Sequence, residues 1–336
     1  MRHVITFLLL LASCVTVKAD SIAAEKFSYI PQFSGTVRAR WEGDLDDGSS
    51  RFQVRNVRVI MQGKIAPEIS YFIQTDLCDR GKMKILDAYG QVGIISGLNL
   101  RAGQFRMPTG VETFRHPGNY IFANRSTVGK FCNYRAVGAR LQYRLPIPLQ
   151  LEAGVFSPSA IGDHEVWTKT FAFGSKAQYY LGDWTITAGY QTVRPGTVRM
   201  DYTDASVAWH SGRWEVEGEY MYKRYARHAL DATHLWCLFG SYSMPVKAGI
   251  FNYLSFQGRW DGCTDNSDGI ATDDNGLLSV TEAARNRLTA GATISYRRTR
   301  VWLDLRVNYE KLFYHHGFTP SPGQGDRLIA EMVVHF

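Results

Sequence analysis

The sequence predicts an all-β fold: a transmembrane antiparallel β-barrel of about sixteen strands, with one long external loop folded into the lumen. Three observations carry this. Apolar and polar residues alternate at period two along the chain, the connections between alternating segments are short and long in turn, and aromatic residues stand at the ends of the apolar faces. Beyond the N-terminal segment no apolar run approaches the length of a membrane helix, and the chain as a whole is slightly hydrophilic. A helical membrane protein is thereby excluded, whereas a barrel is not, because its strands alternate.

The N-terminal segment reads as a secretory signal peptide, residues 1–19: basic Met1-Arg2-His3, apolar Val4 to Leu11, and Val17-Lys18-Ala19 as a small-residue cleavage site before Asp20. Leu11-Ala12-Ser13-Cys14 also resembles a lipoprotein box, so lipidation at Cys14 competes with cleavage after Ala19. Residues 20–336 are then the barrel domain. Losing Arg2 and Lys18 leaves 36 basic against 31 acidic residues, a net charge of +5. That excess favours anionic partners in general. The mature cysteines are Cys78, Cys132, Cys237 and Cys263, an even number that allows two disulfides in an oxidising envelope without revealing their connectivity.

In the first strand Phe33, Gly35, Val37, Ala39 and Trp41 face one way, and Ser34, Thr36, Arg38, Arg40 and Glu42 the other. The pattern returns in Val137 to Arg144, Trp184 to Gln191, Trp214 to Tyr220, Leu288 to Tyr296 and Val301 to Glu310. Trp41, Tyr143, Trp184, Trp214, Tyr296 and Tyr309 supply interfacial aromatics. In the last strand Leu328, Ala330, Met332, Val334 and Phe336 are apolar, between Arg327, Glu331 and His335. A terminal aromatic on this period resembles the sorting signal that outer-membrane barrels present to their assembly machinery.

The short connections are 63–68, 93–97, 145–148, 181–183, 211–212, 243–247 and 297–299; the long ones are 42–50, 77–82, 107–134, 157–168, 192–200, 223–233, 261–285 and 311–325. Segregation of loop length by side is the arrangement of a barrel with both termini in the periplasm. Sixteen to eighteen strands leave an aqueous lumen. No plug domain precedes the first strand, and the third long connection, 107–134, has the length to fold inward.

A family resemblance rests on Phe52-Gln53-Val54-Arg55-Asn56-Val57-Arg58-Val59, Gly63-Lys64-Ile65, Leu86-Asp87-Ala88-Tyr89, Leu100 to Pro108, Asn124-Arg125-Ser126 and Arg135-Ala136-Val137-Gly138. These segments resemble the early strands of the phosphate-selective porin O and P family. The likeness covers the first third of the chain and thereafter follows strand rhythm alone. It departs at Thr109, where the family usually has an aromatic residue, and at Asn124, where it often has an acid. The resemblance implies a homotrimeric, sixteen-stranded anion porin in the bacterial outer membrane, constricted by its inward loop and an arginine-lined wall.

Residue chemistry points the same way in part. The third loop and its flanks carry Arg106, Arg115, His116, Arg125, Lys130 and Arg135 against Glu112, and inward strand positions add Arg38, Arg40, Arg101, Arg140 and Arg144. Guanidinium forks suit oxyanions, and rings of Arg or Lys select anions in pores. Against this, Glu152, Glu215, Glu217, Glu219, Asp304, Glu310 and Glu331 also project inward. The expected partners are outer-membrane lipid, small hydrophilic solutes leaning to anions, and the barrel-assembly machinery at Phe336, with no nucleic acid. No cofactor or metal is expected. Asn266-Ser267-Asp268-Gly269 fits only part of a calcium loop, His315-His316 lack further ligands, and no hydrolase or nucleotide motif is present. The competing class is a barrel enzyme or anchor without channel activity.

Overall fold

The computed structural model describes residues 28–336, apart from 80, 158–166, 197 and 316. The signal segment with Cys14, and His316, lie outside the described residues. Sixteen strands form one closed antiparallel barrel. In order they are β1 (Gln32–Asp44), β2 (Ser50–Ala66), β3 (Ile69–Asp79), β4 (Lys82–Ile95), β5 (Leu98–Arg106), β6 (Arg135–Arg144), β7 (Leu149–Phe156) and β8 (Ala172–Leu181). They continue as β9 (Trp184–Val193), β10 (Met200–Ser211), β11 (Trp214–Tyr225), β12 (Thr233–Ala248), β13 (Phe251–Cys263), β14 (Arg285–Arg298), β15 (Val301–Tyr314) and β16 (Arg327–His335). Among the described residues no helix is long and apolar enough to cross a membrane.

The alternation sorts as the sequence indicates. Phe33, Phe52, Leu151, Phe173, Val207, Leu238 and Met332 are exposed on the outer surface, and Thr36, Arg38, Arg40, Glu152, Glu217, Asp304 and Glu331 are buried on the inner one. An apolar exterior around a polar interior is the reverse of a soluble domain, and it places the barrel in lipid.

The seam pairs β1 with β16 from Thr36↔His335 to Asp44↔Arg327. Phe336 extends it: its N–H donates to the Gly35 carbonyl at 3.1 Å and its carbonyl accepts the Gly35 N–H at 2.7 Å. Its ring fills the space that a side chain at position 35 would take. Deleting Phe336 removes both hydrogen bonds and the ring packing at the closing strand. The expected result is a lower yield of SDS-resistant, heat-modifiable barrel with synthesis and export unchanged; a normal yield would count against this role.

Two connections differ from the expectation. The second long connection, 77–82, is shorter than expected, because the β3–β4 ladder runs on through a register shift to Asp79↔Lys82. Cys78 therefore lies in a strand instead of a loop, and no long second loop reaches outward from this point. The short connection expected at 243–247 is strand, and the turn follows Ala248. Pro245 pairs with Tyr253 and an irregularity between Pro245 and Ala248 follows it, so the ladder passes the residue that lacks an N–H.

No disulfide links the described cysteines: Cys132, Cys237 and Cys263 are buried free thiols and Cys78 is half-buried. Alkylation of the native barrel is expected to label Cys78 first and the other three only after unfolding. Mass spectrometry without reduction checks this, and a bond between any two of the four would contradict it.

Candidate functional site

The third loop, residues 107–134, folds into the lumen through two 3-10 turns, Glu112–Phe114 and Pro117–Asn119, and a short helix α1, Thr127–Phe131. Local chemistry sets the helix. Ser126 caps it, accepting the Gly129 N–H at 3.0 Å, and the Glu112 carboxylate accepts the Ser126 N–H at 2.9 Å as well as its hydroxyl. A side chain at Gly129 would collide with that carboxylate, so the loop closes on itself only with glycine there.

Polar groups on one wall of the barrel hold the loop. Glu219 accepts the Val111 N–H at 2.7 Å, and Arg115 pairs with Glu217 at 2.6 Å and Glu215 at 3.2 Å. Asn308 accepts the Ala123 N–H at 2.7 Å, and Asn124 donates to Glu310. Asp261 accepts the Thr127 N–H at 2.9 Å. In return Arg38, Arg259, Arg287 and Arg306 donate to loop carbonyls. Those four arginines are also ion-paired, Arg38 and Arg306 to Glu331, Arg259 and Arg287 to Asp261. The acids that oppose the arginines in sequence are thus largely spent on β11–β16 and β1, where the loop is fastened. Behind α1 the inward face turns apolar: Met200, Tyr202, Met221, Leu235 and Cys263 pack with Val128 and Cys132.

What stays open is the opposite side. A cavity of about 330 Å³ lies between the loop residues Phe114, Arg115 and His116 and the inner face of β2–β6. Its basic lining is Arg58, Arg101, Arg106, Arg115 and Arg135, and its single acid is Asp87. Arg135 grips Asp87 with two hydrogen bonds, and Arg58 pairs with Asp76 at 3.1 Å. Arg101 instead donates twice to the neutral Gln91 amide, at 2.8 and 3.1 Å, with its guanidinium 3.8 Å from the centre of the Tyr89 ring. Among the described residues neither Arg101 nor Arg106 has a carboxylate within ion-pair distance, so two positive charges face this space without a direct partner. Burial, with Arg58 and Arg106 nearby, pushes the His116 imidazole down to about 3, so it adds no cation at neutral pH.

Of the residues nominated from sequence, Arg101, Arg106, Arg115 and Arg135 line the cavity. Arg38, Arg40 and Arg140 sit in the wall, each paired with a glutamate, respectively Glu331, Glu42 and Glu152. Arg125 turns onto its own loop, donating to the Tyr120 hydroxyl and the Gly129 carbonyl, and Lys130 pairs with Glu282. Arg144 is exposed at the end of β6. Arg58 was missed as a site residue although it falls in phase with the inward Asn56. Phe72, Tyr89 and Phe105 also line the cavity, a role the sequence reading, which weighed only charged residues for the inner face, did not give them. In the 261–285 connection, Asp265, Asp268 and Asp273 cap backbone N–H groups of their own loop.

No family model matches the chain, and no curated protein does. Solved structures of outer-membrane barrels do match in fold. An anion-selective porin from Comamonas acidovorans superposes with a TM-score of 0.60 at 11% identity, covering 91% of this chain and 98% of that one. The outer membrane channel DcaP of Acinetobacter baumannii gives 0.61 at 12%, covering 91% and 97%. The trimer form of OmpT, an outer membrane protein of Vibrio cholerae, gives 0.58 at 10%, covering 91% and 98%. At such identities the likeness establishes the fold alone, that of a closed sixteen-stranded outer-membrane β-barrel.

Proposed function

We propose that the chain is an outer-membrane porin, a water-filled channel through which small hydrophilic solutes diffuse passively, with a preference for anions. One observation carries this reading: the cavity between the third loop and β2–β6 is lined by five arginines and one acid, and two of the arginines, Arg101 and Arg106, have no carboxylate partner among the described residues. Field lines focus where a low-dielectric passage narrows, so uncompensated charge there weighs more than charge elsewhere on the wall. Arg58, Arg101, Arg106, Arg115 and Arg135 form the solute-contacting set. Arg38, Arg40, Arg125, Lys130 and Arg140 act on the field from behind carboxylates or loop backbone. Phosphate is among the candidate solutes through the resemblance of the early strands to the porin O and P family.

The same reading includes removal of residues 1–19, a mature domain of 20–336, residence in the bacterial outer membrane, recognition of Phe336 by the assembly machinery, and a homotrimer. The trimer form of OmpT supports the last. Purified protein added to a planar bilayer tests the function. Stepwise conductance increments are expected. The competing class, a barrel enzyme or anchor without a channel, predicts electrical silence.

A further inference from the structure

The cavity is not lined as a site for a small hydrated ion alone. Tyr89 stacks on Phe72 with ring centres 5.1 Å apart and planes 13° from parallel, and Phe105 meets Tyr89 edge-on at 5.7 Å. Phe114 enters from the loop side, its ring seated on the Lys176 ammonium at 3.7 Å. Lumen-facing aromatics in an otherwise polar passage need a reason, since they forfeit the hydration that a general diffusion pore supplies.

We propose, resting on the anion-channel reading above, that this constriction favours organic anions with a flat apolar body, arylcarboxylates of the benzoate type, over carboxylates without a ring. The cationic and apolar groups are adjacent and fixed. Arg101 lies against Tyr89, held there by Gln91, and Arg106 ends β5 next to Phe105, both lining the cavity. A carboxylate takes two parallel N–H donors from a guanidinium fork, while a ring attached to it extends over the aromatic floor. Stacking adds attraction beyond area burial, and the ring sheds water that acetate or phosphate would keep. At about 330 Å³ the cavity holds one such molecule, near the lower end of ligand-site volumes.

The test uses the full-length barrel in planar bilayers, with chloride current inhibited by sodium benzoate, sodium acetate or inorganic phosphate. Benzoate is expected to inhibit at on the order of tenfold lower concentration than acetate, the discrimination that one aromatic stacking contact supplies. In a Phe72→Leu, Tyr89→Leu variant the advantage should shrink to about twofold, since the bulk remains and the stacking does not. Stepwise conductance should persist in that variant, which shows that the barrel has folded. Equal inhibition by benzoate and acetate, with chloride preference present, would overturn the aromatic selectivity and leave the anion channel standing. An unchanged benzoate advantage in the variant would overturn the assignment to these rings. Absence of chloride preference in the wild type would bring down both readings.

Discussion

Replacing Arg101 and Arg106 together by glutamine is expected to remove most of the preference for chloride over potassium while leaving the number of conducting barrels unchanged. These two guanidinium groups face the cavity with no carboxylate partner among the described residues, so their charge is not cancelled locally. A unit charge about 4 Å from a passing ion is worth about 1 kcal/mol even in a water-like medium, roughly fivefold in local occupancy. Two such charges therefore dominate a modest selectivity. Loss should be greatest at low salt, where the screening length is long. Lys130→Gln is the control: its ammonium pairs with Glu282 and does not line the cavity, so reversal potentials should move little. A double variant with wild-type selectivity would show that the ion path does not pass these side chains.

Asp261→Ala is expected to give the largest loss of stability. This carboxylate is fully buried and pairs with Arg259 and Arg287, each at 2.9 Å, while accepting the Thr127 N–H at the start of α1. Its removal leaves Arg259 and Arg287 with their longer contacts to Glu310, at 3.8 and 3.4 Å, and takes the acceptor from a helix N–H. Breaking one partner of a buried pair costs about 3–5 kcal/mol, more than the pair itself contributes relative to an apolar substitute. Heat-modifiability at a lower temperature, together with noisier and larger conductance steps from a loosened loop, would register both consequences. Asp261→Asn, which keeps an acceptor for Thr127, should lose less. Wild-type thermal behaviour in the alanine variant would mean that Asp261 does not fasten the loop.

The barrel was legible because lipid imposes a strict rule on each outward position, and period two displays it directly. The third loop was legible for a similar reason: residues 107–134 are long, basic and flanked by strands that alternate cleanly. The rule fails where the inside is not water. On β12, inward Leu235, Cys237 and Phe239 face the folded loop and its neighbours, so both faces are apolar and the alternation gives no side. The sorting of arginines was hidden for a different reason. Arg101 and Arg140 are both inward and lie opposite each other on β5 and β6. Arg140 pairs with Glu152 on the next strand, whereas Arg101 finds the neutral Gln91 amide and the Tyr89 ring. Which of the two is neutralised depends on register and side-chain reach across three strands, neither of which residue types reveal. The continuation of β3 and β4 to Asp79↔Lys82 was concealed because charged residues there look like loop although they continue the ladder.

The lumen is expected to conduct and its cavity beside the third loop to be net positive. The zero-current potential of the wild-type barrel across a steep KCl gradient tests it most directly. The account predicts stepwise conductance with a potential of the sign set by chloride crossing faster than potassium, growing as total salt is lowered. A potential of the opposite sign, or no conductance from folded, heat-modifiable protein, would contradict it.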